Sequence, residues 1–176
     1  MKEYLSIIEN RLNIINRKLK QTKTYYVLDE DLGAKMDLFK DEAKSFNAKS
    51  EIYDYIINYI QSHKIERFLK KNGKVNESKF YEFVPLQKET WYYEIKNNSG
   101  KPPGETIMLR LLFALQMSTK DACFFMRLAG YQLNPINQKY RLVMALLDLK
   151  RYDRETVYDA FEFYGKRARP KFKNIY

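Results

Sequence analysis

The stretch that decides the fold is residues 76–95, NESKFYEFVPLQKETWYYEI. Asn76 is a residue type that caps helices, and apolar residues follow it at helical spacing: Phe80, Phe83 and Val84. Pro85 has no backbone N–H and disfavours helical geometry at the residue before it, so the chain is expected to turn there. Trp91 and Ile95 then lie one helical turn apart. The stretch therefore predicts two short helices joined by a tight turn.

Helical spacing continues on both sides of this stretch. Upstream, apolar residues predict one helix that ends near Gly73: Ile52, Ile56, Tyr59, Ile60, Ile65, Phe68 and Leu69. Downstream, a loop at 97–104 precedes two helices, of which the second begins at the capping residue Ser118. Further helices are predicted from Asn134 and from Asp153. No convincing alternation with a period of two is present, so the predicted fold class is all-α.

The N-terminal region carries apolar residues at alternating steps of three and four: Leu5, Ile8, Leu12, Ile15 and Leu19. Such a seam belongs either to an amphipathic helix docked on its own domain or to an arm that joins two copies. A second apolar face runs from residue 32 to 46, and Ser50 is placed to cap the helix after it. We predict an N-terminal helical arm at 1–50, a central domain at 51–130 and a C-terminal helical extension with a basic tail at 131–176.

The composition excludes several kinds of site. One cysteine, Cys123, allows no internal disulfide and no Cys-based zinc site, and one histidine, His63, allows no His-rich metal cluster. No nucleophile with a base partner and no glycine-rich phosphate loop is present, so neither an enzyme nor a cofactor is predicted. No apolar run approaches the ~20 residues of a membrane helix, and the first residues do not form a secretory signal. We therefore expect a cytoplasmic protein without membrane contact.

The chain carries a large positive charge, with 32 basic and 22 acidic residues and a net charge of +10. The excess lies mainly in the second half, and the stretch 166–173 has five basic residues and no acid. A basic balance favours an anionic partner, most often a nucleic acid. The basic tail is then an arm on the DNA backbone, an RNA contact or an unordered end.

The order and spacing of the central elements resemble the Xre/Cro family of helix-turn-helix DNA-binding domains. Ile65–Gly73 matches the first helix of the family, residues 75–80 the start of the second, and Gln87–Ile95 the third, which is the recognition helix. Residues 102–115 match the loop before the fourth helix and that helix itself. Residues 117–121 match the start of the fifth helix. Residues 128–135 are similar to a C-terminal extension found on some bacterial proteins of this group. The resemblance implies a lambda-repressor-like helical core at 51–130, with extra helices before and after it.

The resemblance also implies a DNA-binding surface. Four residues of the recognition helix would face base edges in the major groove: Gln87, Lys88, Glu89 and Tyr92. Three residues at the start of the second helix would meet phosphate: Asn76, Ser78 and Lys79. Three more would skirt the DNA backbone: Lys96, Asn98 and Lys101. The implied function is sequence-specific binding of double-stranded DNA by a bacterial or phage transcription regulator, acting as a homodimer.

The chain departs from the family pattern at four positions: Glu77, Tyr81, Pro85 and Glu89. A carboxylate near phosphate is repelled, although glutamate also accepts a hydrogen bond from cytosine. These departures support an alternative, a protein-interaction module that uses a degenerate helix-turn-helix core. An antitoxin, or a phage or host-defence inhibitor, would fit that alternative.

Overall fold

The computed structural model describes residues 3–21, 51–97 and 102–176. Its α-helices are α1 (Glu3–Gln21), α2 (Glu51–Ser62), α3 (Glu77–Phe83), α4 (Glu105–Ala114), α5 (Thr119–Leu128), α6 (Gln138–Asp148) and α7 (Arg154–Gly165). A 3-10 helix covers Glu66–Phe68 and a π-helix covers Thr90–Lys96. Over the described ranges no strand forms beyond one isolated bridge, which confirms the all-α class. None of the helices described is both long and apolar enough to cross a bilayer.

Three helix starts predicted from capping residues are confirmed. The side chains of Asn76, Ser118 and Asp153 each accept a hydrogen bond from the backbone N–H three residues further on, at 2.8–3.2 Å. These bonds satisfy N–H groups that have no partner inside the helix. The predicted cap at Ser50 and the apolar face at 32–46 lie outside the described residues.

The helix cap predicted at Asn134 lies three residues before the observed cap, Asn137. The Asn134 side chain instead accepts from the backbone N–H of Ile136, at 2.9 Å, and so closes a turn before the helix. Asn137 then caps α6 by accepting from the N–H of Lys139. The sequence offers two capping residues close together, and the second one begins the helix.

The single helix predicted over residues 52–73 is also wrong, because α2 closes at its own C-terminal motif. Lys64 has a left-handed φ of 48°. The N–H of Lys64 bonds to the carbonyl of Gln61 at 3.2 Å, and that of Ile65 bonds to the carbonyl of Ile60 at 3.0 Å. This pair of bonds defines a Schellman motif, in which the left-handed position is usually glycine. A lysine at that position gives no sequence signal that the helix ends.

The residues expected to continue this helix form a tight turn instead. Leu69 and Val75 pair in an antiparallel bridge, and the N–H of Lys70 bonds to the carbonyl of Lys74 at 2.8 Å. Gly73, with a φ of 76°, lies in the turn and does not cap a helix. The family resemblance implied a first helix at Ile65–Gly73, but only the 3-10 helix Glu66–Phe68 forms within that range.

Gln116 occupies the same left-handed position after α4, with a φ of 54°. We expect Gln116→Gly to raise the free energy of unfolding by about 0.5–1 kcal/mol, because relief of left-handed strain exceeds the added backbone entropy of the unfolded chain. Gln116→Ala keeps the strain and serves as the matched control. Urea unfolding of both variants measures the difference. Equal stabilities for the glycine and alanine variants would contradict the prediction.

Helix α1 docks on its own domain, mainly against α6. Its seam residues Leu5 and Ile8 belong to the central apolar cluster. The Tyr164 hydroxyl of α7 donates to the Leu5 carbonyl at 3.0 Å, and Arg11 pairs with Asp148. Of the two alternatives for this seam, the structure therefore shows a helix that packs against the rest of its own chain.

One apolar cluster includes residues from all three predicted parts of the chain. It contains Ile8 of the arm, Trp91 of the central region and Ile175 of the basic tail. The predicted division into three domains stays a prediction. Cys123 is a buried free thiol in the same cluster, as expected for a small core residue, and burial raises its pKa.

Candidate nucleic-acid interface

The predicted recognition segment is helical and has one buried and one open side. Trp91 is 0% exposed and Ile95 is 2% exposed, so the predicted inward packing of both residues is confirmed. Four residues of the segment are exposed, and we call them the rim: Gln87, Lys88, Glu89 and Tyr93. Most of the segment is π-helical rather than α-helical, with the N–H of Asn97 bonded to the carbonyl of Tyr92.

Aromatic packing fixes the inner side of this segment. The Trp91 ring lies edge-on to Phe80 of α3, with 5.4 Å between the ring centroids. It also contacts Tyr53 of α2 at 5.8 Å and Tyr81 of α3 at 6.3 Å. Tyr81 stands where the family prefers a small residue, and here its ring helps to surround the indole. Contacts from two helices therefore hold the rim in place.

Glu77 joins the same three elements through polar contacts, which we call the Glu77 network. Its carboxylate accepts from the Trp91 indole N–H at 3.0 Å and from the Tyr53 hydroxyl at 2.9 Å. The Lys96 ammonium donates to both carboxylate oxygens, at 3.0 and 3.1 Å. The structure thus gives Glu77 an internal role in place of the phosphate-facing role that the family gives to this position.

The ionisation of the network is consistent with this geometry. Burial acts to raise the pKa of the Glu77 carboxyl. The hydrogen bonds from Trp91, Lys96 and Tyr53, together with the Lys96 charge, outweigh burial and hold this pKa below its ordinary value of 4.5. The hydrogen bond to Glu77 in turn raises the pKa of the Lys96 ammonium. The network is therefore a carboxylate–ammonium pair at neutral pH.

Lys96, a predicted contact to the DNA backbone, has an internal partner. Its ammonium is paired with Glu77 and lies 5.2 Å from the Tyr53 ring centroid and 5.5 Å from that of Tyr92. The Lys96 side chain is 33% exposed, and its charge-assisted hydrogen bonds run to Glu77.

The other predicted DNA contacts divide into exposed and partly buried groups. Gln87, Lys88, Glu89, Ser78 and Lys79 are exposed. Asn76 and Tyr92 are partly buried, Asn76 as the cap of α3 and Tyr92 beneath the ammonium groups of Lys88 and Lys96. Asn98 and Lys101 lie outside the described residues. Tyr93, at 63% exposure, is the open aromatic residue of the segment, and Tyr92 is not.

A basic turn at residues 70–74 is the feature that the sequence interpretation missed. Lys70, Lys71 and Lys74 are all exposed on it, and we call them the turn lysines. The turn leads directly into α3, whose Phe80 packs against Trp91. The dipeptide Asn72-Gly73 is a strong turn signal. It did not lead to a predicted turn because the apolar spacing around it favoured a helix.

Other candidate residues have structural partners. His63 stacks on Tyr59, with 3.9 Å between the ring centroids, and its Nδ1 lies 3.1 Å from the Tyr59 carbonyl oxygen. Among the residues that the structure describes, no group of three or more His, Cys, Asp or Glu side chains is arranged to hold a metal ion.

Comparison with protein-family models, with curated proteins and with solved structures gives no match to this chain. The functional interpretation therefore depends on the interface described above.

Proposed function

We propose that this chain binds double-stranded DNA through the rim, with the turn lysines on the phosphate backbone. The observation that carries the proposal is the exposed rim on a segment whose Trp91 and Ile95 are buried and whose indole N–H bonds to Glu77. A side chain on such a segment is presented in a defined position before any partner arrives. Direct readout of base edges depends on positions of this kind.

The rim has the chemistry that base edges require. A glutamine such as Gln87 pairs with adenine through two hydrogen bonds, a lysine such as Lys88 donates to guanine, and a glutamate such as Glu89 accepts from cytosine. The exposed ring of Tyr93 adds an apolar surface beside them. We propose that two copies bind a two-fold site as a bacterial or phage transcription regulator, because one such segment reads few base pairs.

The charge around the rim favours a polyanion. Between residues 64 and 97 there are eight basic and five acidic side chains. One acid, Glu77, is paired internally with Lys96, whereas all three turn lysines are exposed. Phosphate contacts of this kind supply affinity that does not depend on sequence and that weakens as salt concentration rises.

The test starts with selection of preferred duplexes from a random pool, followed by fluorescence anisotropy across a salt series. We expect K70Q/K71Q/K74Q to weaken binding to every duplex and to lower the slope of log affinity against log salt by about 2–3. Three exposed cations on α1 and α5 give a control with the same loss of charge, R17Q/K20Q/K120Q. The control is expected to keep most of the affinity.

The rim is tested separately with Gln87→Ala/Lys88→Ala. We expect this variant to lose the preference for the selected duplex over a random one, since each good base contact contributes about 1–3 kcal/mol of discrimination. Its binding to random duplex should stay near that of the wild type. The proposal would be contradicted if the wild-type chain selects no sequence and if K70Q/K71Q/K74Q and R17Q/K20Q/K120Q bind DNA with equal affinity.

The second candidate function is a protein-interaction module, either an antitoxin or a phage or host-defence inhibitor. It is favoured by the exposure of Phe83 and Tyr93, at 51% and 63%, because exposed aromatic residues are typical anchors of protein interfaces. Binding to a protein partner that Phe83→Ala/Tyr93→Ala removes and salt leaves unchanged would favour this function over DNA binding.

A further inference from the structure

The basic tail, residues 166–176, is fastened to the domain by apolar contacts. Ile175 is 1% exposed and belongs to the central cluster. The Phe172 ring lies edge-on to Phe161 of α7, with 5.7 Å between the ring centroids. The Tyr176 ring lies between Arg110 and Arg154, at 5.8 and 5.3 Å from their guanidinium carbons.

Polar contacts fasten the tail further. The Asn174 amide donates to the Tyr158 carbonyl at 3.0 Å and to a Glu162 carboxylate oxygen at 3.2 Å. Arg110 of α4 donates to the backbone carbonyl of Ile175. The described structure therefore excludes the unordered end that was one of three alternatives for this stretch.

The tail carries exposed cations. Arg169, Lys171 and Lys173 are exposed, and the stretch 166–173 contains no acid. The neighbouring carboxylate of Glu162 is occupied by Lys166 and by the Asn174 amide. The tail thus displays positive charges on an anchored backbone, and the carboxylate of Glu162 beside it is already paired.

We propose that Arg169, Lys171 and Lys173 form a second contact surface for the phosphate backbone of a DNA duplex. This inference rests on the proposed DNA binding and adds a second contact to it. The backbone that carries these charges is already anchored, so binding orders less of the chain than it would for the same charges on a loose end. The contact is made to phosphate and carries no base preference.

The first test removes the charges. We expect R169Q/K171Q/K173Q to bind both the selected and a random duplex about 10–100-fold more weakly, with a salt slope lower by about 2–3 and the ratio between the two duplexes unchanged. The control is again R17Q/K20Q/K120Q, which removes one arginine and two lysines elsewhere. We expect the control to change affinity by less than about 3-fold.

The second test keeps the charges and disturbs their placement. A Cβ at Gly165 would lie 2.6 Å from the Phe172 carbonyl oxygen and 3.2 Å from its ring, so Gly165→Ala must displace the tail. We expect the affinity of the Gly165→Ala chain for duplex DNA to fall toward that of R169Q/K171Q/K173Q, although Gly165→Ala changes no charge. Fluorescence of Trp91, the single tryptophan, verifies that the rest of the domain is folded.

The outcomes separate the two proposals. A wild-type chain that binds no duplex contradicts the proposed function itself. If the wild type binds DNA and R169Q/K171Q/K173Q binds it with the same affinity, only the proposed second contact surface is contradicted. Wild-type affinity in Gly165→Ala also overturns the inference, because placement of the charges would then have no effect.

Discussion

Glu77→Ala is expected to lower the free energy of unfolding by about 2–3 kcal/mol. The substitution leaves the Trp91 indole N–H, inside a fully buried side chain, without its acceptor, and it removes the partner of Lys96. Loss of one partner of a buried charge pair costs ~3–5 kcal/mol, and an exposed pair ~1 or less. The Glu77 side chain is 26% exposed, which places the expected loss between these limits. Urea unfolding followed by circular dichroism measures it.

The fluorescence of Trp91 reports on the same change. Because the chain has a single tryptophan, a red shift or a change in quenching comes from this site alone. Glu82→Ala is the matched control, since Glu82 lies on the same helix and is exposed. A Glu77→Ala chain as stable as the Glu82→Ala chain, with unchanged emission, would show that the network does not hold the segment.

Acidification should reproduce part of this loss in the wild type. The pKa of Glu77 is lower in the folded than in the unfolded chain, so its contribution is fully present above the ordinary value of 4.5. The contribution falls as the pH drops through the lower, folded pKa. The stability difference between the wild type and Glu77→Gln should therefore narrow below about pH 4. A difference that stays constant down to pH 3 would contradict a charged network.

Ile8→Ala is expected to lower the free energy of unfolding by about 3 kcal/mol, within the ~2–5 kcal/mol typical of a large cavity in a core. Ile8 is 0% exposed and belongs to the central cluster. Its neighbour Ile7, at 38% exposure on the outer side of α1, provides the matched control. We expect less than about 1 kcal/mol for Ile7→Ala, measured by urea unfolding at one protein concentration.

The same pair of variants distinguishes the docked helix from an arm that joins two copies. A docked α1 gives an effect of Ile8→Ala that is independent of protein concentration. An arm whose seam pairs with another copy would instead give a midpoint that rises with protein concentration, and the effect of Ile8→Ala would change with it. That second result would contradict the docking described for α1.

Local signals allowed much of the fold to be predicted. The caps at Asn76, Ser118 and Asp153 act within one helical turn, so a few neighbouring residues determine them. The inward side of the recognition segment followed from the spacing of Trp91 and Ile95. In each case the physical cause and the sequence signal lie within a few residues of each other.

The errors have causes that local spacing does not contain. Lys64 ends helix α2 in a left-handed conformation that sequence rules assign to glycine. The Glu77 network joins residues from positions 53 to 96, and no spacing rule connects them. The partner of Lys96, Glu77, lies 19 residues away in the chain and cannot be identified from its neighbours. Contacts between distant elements therefore determine the partners of Lys96 and Glu77.

The docking of α1 against α6 also imposes an order on events at the ribosome. Helix α1 is synthesised more than 100 residues before its partner helix α6 is complete. At ~5–20 residues per second, that interval is on the order of ten seconds. During it the apolar seam around Ile8 lacks its partner α6. Helix α1 is thus translated well before it can reach its native position.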